Sequence, residues 1–192
     1  NLLLNGDFED WDADQLTPGS QNNWTLAGSG STFNKEAETF YPKNYAVLHG
    51  NNSGRLVIPV NTAVTLLQTF DSASSSYTAV ATQGMECNLS AWVYCTTADR
   101  VKLYIGAAVG SFHSGTGWEL MKASATLAAT ATTAVVGLTI PSSGSTAAIP
   151  LFVDEIWMTL GQSENMDIPY SELRNWNHVP PGGCFRRRCP AF

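Results

Sequence analysis

Hydrophobic and polar residues alternate with a period of two along many short segments of this chain. In "RVKLYIGA", Val101, Leu103 and Ile105 fall on one face of a predicted strand, whereas Lys102 and Tyr104 fall on the other. Turn-forming sequences such as "AGSGS", "GNNSG", "DSASSS" and "PSSGS" separate these segments. The pattern predicts strands over residues 1–9, 24–27, 33–39, 45–50, 54–60, 64–70, 76–82, 86–96, 100–108, 118–127, 134–141 and 150–160.

Helix signals are weak. The alanine-rich stretch "KASATLAATATTAVVG" has threonine or serine at every second or third position and ends in β-branched residues, which favours a strand. Many short strands with regular breaks are typical of sandwiches and jelly rolls. We therefore predict an all-β fold, a jelly-roll β-sandwich of two antiparallel sheets.

Two predicted strands carry aromatic residues away from the core face. In "NLSAWVYC", alternation places Trp92 and Tyr94 opposite the apolar face. Aromatic rings stack on the apolar face of a sugar, and lysine bonds its hydroxyl groups. If these strands are adjacent, their non-core face forms a glycan-binding site of Trp92, Tyr94, Lys102 and Tyr104. The alternative is that a loop or a partner chain covers Trp92. Trp24 and Trp118, at strand starts, are predicted to lie in the core.

The last strand, "PLFVDEIWMTL", contains an acid in an apolar row. At alternate positions it places Phe152, Ile156, Met158 and Leu160 on the face that also carries Asp154. An acid facing the core is costly unless it is paired or binds a metal.

The pattern changes after Gly161, where four of the nine prolines occur and no period is sustained. We predict a sandwich domain over 1–161 and an extended, irregular C-terminal arm over 162–192. Three aromatic residues of the arm are expected to pack on its own sandwich or on a neighbouring chain: Tyr170, Trp176 and Phe185. Three basic residues are expected to meet an acidic neighbouring surface: Arg186, Arg187 and Arg188. Cys184 and Cys189 flank "FRRR" and either form a disulfide or stay reduced; the sequence leaves both open.

Composition narrows the choice of partners. Only 14% of residues are charged, against about 25% in an average soluble domain, and the net charge is −6. Basic residues cluster only in the arm, so we expect no nucleic-acid partner. No stretch approaches the ~18 apolar residues of a membrane helix, so we expect no membrane insertion.

Catalysis finds little support in the sequence. The 3 histidines are far apart, and a loop histidine such as His113 is expected to be solvated. Asp154 and Glu155 are adjacent in a predicted strand, which places their side chains on opposite faces. We therefore expect that the protein is not an enzyme.

Several motifs resemble one family. "NLLLNGDFEDW", "NYAVLHG", "LLQTF", "NLSAWVY", "GWELMKASATL" and "LFVDEIWMTLG" resemble, in the same order, segments of calcium-containing jelly-roll carbohydrate-binding modules appended to xylanases and other glycanases. Similar modules occur in phage tail and virion decoration proteins. The resemblance covers about residues 1–161. The segment from "DSASSS" to "TQGME" is longer than the family pattern, and the arm has no counterpart in it.

The resemblance implies a structural Ca²⁺. Carried over, its ligands would be the side chains of Glu9 and Asp154, with backbone oxygens near Lys43 or Asn44. Calcium takes six to eight oxygen ligands, often mixing carboxylates and carbonyls. Otherwise Asp154 caps a turn or pairs with a basic residue, and Glu9 is solvated.

The resemblance and the arm together favour a non-catalytic structural protein of a phage-like virion, in decoration or tail adhesion, with the arm used for assembly. Its partners would be copies of itself, other structural proteins of the particle, and cell-surface glycans. The alternative is a glycan-binding module of a secreted polysaccharide-degrading enzyme. Either function places the protein on a virion or outside the cell.

Overall fold

A computed structural model describes residues 3–9, 11, 24–37, 47–71, 84–131, 133–142 and 149–161. These residues form ten strands: β1 (Thr25–Ala27), β2 (Thr32–Ala37), β3 (Asn52–Ile58), β4 (Val64–Asp71), β5 (Glu86–Cys95), β6 (Lys102–Ile105), β7 (Ala108–Val109), β8 (Gly117–Thr126), β9 (Thr133–Ile140) and β10 (Ile149–Leu160). Within these ranges no helix is long and apolar enough to cross a membrane. The predicted strand 76–82 and the arm 162–192 lie outside the described residues.

The strands form two antiparallel sheets, which confirms the predicted all-β jelly-roll sandwich. The first sheet has the order β1-β4-β9-β6-β7, and the second has the order β2-β3-β10-β5-β8. Alternate apolar residues of both sheets meet in one core, for example Leu66 and Leu138 of the first and Leu89 and Val153 of the second. Because side chains alternate along a strand, the remaining positions face outward.

The prediction of a strand over residues 1–9 is wrong, because residues 3–9 form turns. Asn5 and Phe8 have φ angles of 46° and 52°, which break an extended chain. The turns still pack on the sandwich. Phe8 is fully buried, and the Gln68 side-chain amide bonds both the N–H and the carbonyl of Leu4, at 2.8 and 2.9 Å. An apolar run thus enters the core without forming a strand.

Within the predicted strand 45–50, the described residues 47–50 are also not a strand. Carboxylates hold this segment and its continuation instead of a neighbouring strand. Asp154 accepts hydrogen bonds from the N–H groups of Leu48 and His49, and Glu9 accepts those of Asn51 and Asn52.

The predicted apolar row of the last strand is also wrong. A β-bulge between Asp154 and Trp157 shifts the register of β10 against β5. Before the bulge, Phe152 and Asp154 face outward, opposite Tyr94 and Trp92. After it, Ile156 and Met158 face the core. Because of the extra residue, Phe152 and Ile156 do not share a face.

Candidate functional site

The outer face of the second sheet carries a row of aromatic side chains. The strand register places Phe152 of β10 opposite Tyr94 of β5, and Tyr94 opposite Trp118 of β8. The ring centroids of Tyr94 lie 5.8 Å from Phe152 and 5.7 Å from Trp118, in edge-to-face geometry. Val47 and Phe152 are buried in this cluster, whereas Tyr94 and Trp118 are half-buried. The cluster is separate from the main core, and the rings of Tyr94 and Trp118 keep part of their surface exposed on the outer face.

A second row lies one ladder step away on the same face. Trp92 of β5 stands between Asp154 of β10 and Leu120 of β8. The His49 imidazole lies edge-on to the Trp92 ring, with 6.5 Å between centroids, and is about one-third exposed. Its Nδ1 lies 3.1 Å from Glu155 Oε2, while burial lowers the pKa of the His49 imidazole. The outer face of the second sheet thus carries the cluster around Tyr94, the separate ring of Trp92, and the polar imidazole of His49 beside it.

An ion pair borders the aromatic row on the β3 side. Arg55 of β3 stands opposite Phe152 of β10, and its Nη1 lies 3.5 Å from Glu36 Oε2 of β2. Burial raises the pKa of the Glu36 carboxyl, and the Arg55 guanidinium partly offsets this. Arg55 is about one-third exposed, so it adds hydrogen-bond donors at the rim of the face.

The predicted four-residue glycan site is divided between the two sheets. Trp92 and Tyr94 lie on β5 in the second sheet, but Lys102 and Tyr104 lie on β6 in the first. The chain crosses from one sheet to the other through residues 96–101, so strands that are consecutive in sequence are not adjacent in space. The expectation of one shared face is therefore wrong. On the first sheet, Lys102 Nζ lies 4.3 Å from the Phe112 ring centroid.

Sequence reasoning missed three residues of this face: His49, Trp118 and Phe152. Trp118 was expected in the core, but Met121 is the β8 residue that is buried there. Because Trp118 and Met121 are three positions apart on one strand, they face opposite ways. Alternation could have corrected the assignment of Trp118, because it places Trp118 on the face opposite the apolar Met121. The outward position of Phe152 could not be predicted, because it depends on the bulge in β10. Trp24 is buried in the core as predicted.

Asp154 is buried on this face, where one of its carboxylate oxygens accepts backbone hydrogen bonds. Its Oδ2 accepts hydrogen bonds from the N–H groups of Leu48 and His49, at 3.1 and 2.9 Å. No hydrogen-bond donor of the described residues reaches its buried Oδ1. Burial raises the pKa of the Asp154 carboxyl well above its usual range, and the charge of the Glu155 carboxylate adds to this; backbone hydrogen bonds from His49, Leu48 and Glu155 oppose it.

Glu9 and Asp154 bind the two ends of one segment, residues 48–52. Glu9 Oε1 accepts from the N–H groups of Asn51 and Asn52, at 2.7 and 3.1 Å, and its Oε2 accepts from Asn52 Nδ2 at 3.0 Å. Asp154 Oδ1 suits a hard cation, because it is a buried carboxylate oxygen to which the described part of the chain donates no hydrogen bond. Within the described ranges, however, no group of three His, Cys, Asp or Glu side chains is placed to hold a metal.

A calcium ion bound in this region would therefore use Asp154 Oδ1, carbonyl oxygens and Glu9 rather than a cluster of acids. Lys43 and Asn44, the other predicted ligands, lie outside the described residues. So do the arm residues Tyr170, Trp176, Phe185, Arg186, Arg187 and Arg188, together with Cys184 and Cys189.

The two described cysteines lie within the core, on β5. Cys87 and Cys95 are both buried free thiols. Burial raises the pKa of Cys87 to about 11, and burial also raises that of Cys95. Since the thiolate is the reactive form, neither residue is suited to act as a nucleophile.

Several solved structures share this fold. The CBM22-2 xylan-binding domain of Xyn10C from Paenibacillus barcinonensis is 15% identical with a TM-score of 0.52, covering 80% of this chain and 96% of that one. The CBM22-1–CBM22-2 tandem domain of the same enzyme is 12% identical with a TM-score of 0.53, covering 82% of this chain and 46% of that one.

A viral protein shares the fold as well. The enzymatically active domain of tailspike protein 4 from bacteriophage CBA120 is 18% identical with a TM-score of 0.52, covering 83% of this chain. This chain spans 21% of that one. No protein-family model matches the sequence, and neither does any curated protein. At these identities the likeness shows the fold: a jelly-roll sandwich of the kind seen in carbohydrate-binding modules.

Proposed function

We propose that this protein is a non-catalytic glycan-binding domain, and that the outer face of its second sheet is the binding site. The partly exposed rings of Trp118 and Tyr94, backed by the buried Phe152, carry this proposal together with Trp92 one step away. Partly exposed aromatic rings offer flat apolar surfaces to the C–H face of a pyranose. Arg55 and His49 supply polar groups for sugar hydroxyls at the rim.

The positions of the acids support a binding role without catalysis. Asp154 and Glu155 are 0% and 3% exposed, so a sugar bound on the aromatic row would not touch them. Glycoside hydrolysis needs two carboxyl groups that flank the scissile bond. In this proposal the two acids fix the strand–loop junction beneath the site.

The first test is an array of plant, bacterial and animal glycans that includes xylo-oligosaccharides, because a xylan-binding domain shares the fold. We expect binding to at least one class of neutral glycan and no release of reducing sugar from it. Reducing-sugar release by the pure protein would contradict the non-catalytic assignment.

Calcium is the second element of the proposal. In calcium at 100 times its dissociation constant, binding to the native state would add about 2.7 kcal/mol to the free energy of unfolding. We expect EDTA to lower the melting temperature of the wild type and to leave that of Asp154→Asn unchanged. Asp99→Asn, at an exposed turn residue, is the control and should respond as the wild type does. An EDTA-insensitive wild type would contradict calcium binding.

The pH dependence of stability without calcium gives an independent check on Asp154. A carboxyl whose pKa is raised by folding binds more protons in the native state than in the unfolded state. Its contribution is present below the unfolded pKa and is lost as pH rises through the folded pKa. We therefore expect urea unfolding in EDTA to show stability falling over this range in the wild type. The slope should be smaller in Asp154→Asn; equal slopes would contradict the burial of an ionisable Asp154.

A virion role is the second candidate. The fold shared with a tailspike domain and the aromatic and basic residues of 162–192 favour it. In this role the glycan-binding face would serve adhesion, and the arm would bind another subunit or particle protein. Either candidate places the protein outside the cell or on a virion.

Light scattering on the full chain and on a chain ending at Gly161 tests the role of the arm. Gly161 N–H donates to the Glu86 carbonyl and its own carbonyl accepts from Asn88 Nδ2, both at 2.8 Å. Because β10 is fixed to its end, the shorter chain should keep the sandwich. We expect the full chain to be an oligomer and the shorter chain to be a monomer. The same number of chains per particle for both lengths would contradict an assembly role for the arm.

A further inference from the structure

A buried histidine lies behind the aromatic row, in the loop that joins β7 to β8. The side chain of His113 is fully buried, so the expectation that it is solvated is wrong. Its Nε2 lies 3.0 Å from the carbonyl oxygen of Val93, and its Nδ1 accepts the N–H of Gly115 at 2.9 Å. The neutral ring with its proton on Nε2 is the form that satisfies both contacts, because Nδ1 must be an acceptor and Nε2 a donor.

Backbone contacts fix the same loop on two other sides. The N–H of Asp99 donates to the carbonyl of His113 at 3.1 Å, and the N–H of His113 donates to the carbonyl of Val101 at 3.0 Å. At Gly115 φ is +80°, and an added Cβ would lie 2.3 Å from Ala98 N. The loop therefore packs directly on the 97–98 turn and has little room to shift.

His113 connects the strands that carry the two half-exposed rings. Val93, its hydrogen-bond partner, directly precedes Tyr94 on β5. The loop that it fixes leads into Gly117, the first residue of β8, which directly precedes Trp118. At Gly117 an added Cβ would lie 3.6 Å from the Tyr94 ring, so the start of β8 lies beside that ring. A shift of the loop would change the position of Trp118 relative to Tyr94.

We infer that His113 is a positioning residue for glycan binding, an inference that rests on the proposed function. Its imidazole holds the loop that leads into β8 against β5, and thereby sets the distance between the Trp118 and Tyr94 rings. His113 does not touch the ligand, because its side chain is fully buried. The Glu119 carboxylate of β8 lies near the ring, with Oε2 3.7 Å from Nδ1, and the same oxygen accepts the N–H of Ser114 at 2.8 Å.

Two substitutions of His113 and one control in the same loop test this inference. His113→Leu removes both contacts of the ring, and His113→Gln keeps an amide that can donate to the Val93 carbonyl. Phe112→Ala is the control, because Phe112 is partly exposed and packs on Lys102 of the first sheet. Calorimetry with the glycan that binds best on the array should show about a tenfold loss of affinity for His113→Leu. The loss should be smaller for His113→Gln, and Phe112→Ala should bind as the wild type does.

Nitrogen NMR supplies readouts that do not depend on a ligand. In the wild type we expect an unprotonated Nδ1 and a protonated Nε2 at His113. The indole N–H resonance of Trp118 should shift in both His113 variants and stay in place in Phe112→Ala. If His113→Leu does not fold, His113→Gln decides the question with the same two measurements.

Several outcomes would overturn the inference: wild-type affinity in a folded His113→Leu, an unmoved Trp118 indole resonance, or a proton on Nδ1 in the wild type. If the wild type binds no glycan, the proposed function fails. The shift of the Trp118 indole resonance in His113→Gln then still supports or overturns the positioning role.

Discussion

Replacing Trp118 by alanine is expected to lower the affinity for a bound glycan by about 10- to 100-fold, which corresponds to about 1.4–2.8 kcal/mol. Trp118 offers a large, partly exposed ring at the β8 end of the aromatic row, and its loss also removes one of the two edge-to-face partners of Tyr94, at 5.7 Å. Because Trp118 belongs to the outer cluster and not to the main core, the variant should fold.

Isothermal calorimetry with the best glycan of the array measures this effect, and Tyr104→Ala is the matched control. Tyr104 is also a half-buried aromatic residue on a strand, but it lies on the first sheet. We expect Tyr104→Ala to bind within about twofold of the wild type, a difference of about 0.4 kcal/mol. A loss in Tyr104→Ala with full binding in Trp118→Ala would place the site on the first sheet and contradict the proposal.

Replacing Phe8 by alanine is expected to lower the free energy of unfolding by about 3–5 kcal/mol. Phe8 is fully buried although it lies in a turn. Its ring packs edge-to-face on Phe33 at 5.6 Å and lies 5.5 Å from Trp24. The segment is also fixed by a hydrogen bond from the Ile156 N–H to the Gly6 carbonyl, at 2.7 Å. The cavity left by Phe8→Ala would therefore lie between Phe33 of the second sheet and Trp24, which directly precedes β1 of the first sheet.

Urea unfolding followed by tryptophan fluorescence measures this loss. Leu4→Ala is the control in the same segment, because Leu4 is 60% exposed and should change stability by at most about 0.5 kcal/mol. Equal, small effects of both substitutions would mean that residues 3–9 are not part of the core. That result would contradict the fold account of the first segment.

Most strands of the described ranges could be predicted from alternation alone. Leu89, Ala91 and Val93 face the core, and Trp92 and Tyr94 face outward, as the period of two requires. The prediction worked on β5 because this strand has no bulge and ends at turn residues. A period of two reports on local geometry, and β5 obeys it throughout.

The pairing of strands into sheets could not be predicted in the same way. Alternation shows that Tyr104 and Tyr94 both face away from the core, but it does not show which sheet each strand joins. That choice depends on contacts distant in sequence, such as the pairing of β6 with β9 and of β5 with β10. The outward orientation of Trp92, Tyr94, Lys102 and Tyr104 could therefore be predicted from alternation. Their grouping in one site is wrong, because β5 and β6 belong to different sheets.

Backbone irregularities account for the other errors. The bulge after Asp154 includes Glu155 at φ 49°. A left-handed conformation is not predicted for a glutamate from its residue type. The turns at Asn5 and Phe8 likewise follow three leucines that favour a strand. In both places long-range contacts to other elements, including the bond between Gly6 and Ile156, override local propensity.

The most direct test of the glycan-binding face is an NMR titration of the ¹⁵N-labelled protein with the best glycan of the array. The account predicts that shifts concentrate on the outer face of β5, β8 and β10, and that they include the indole N–H signals of Trp92 and Trp118. Shifts confined to β6 and the Phe112 loop, or no glycan bound anywhere on the array, would contradict it.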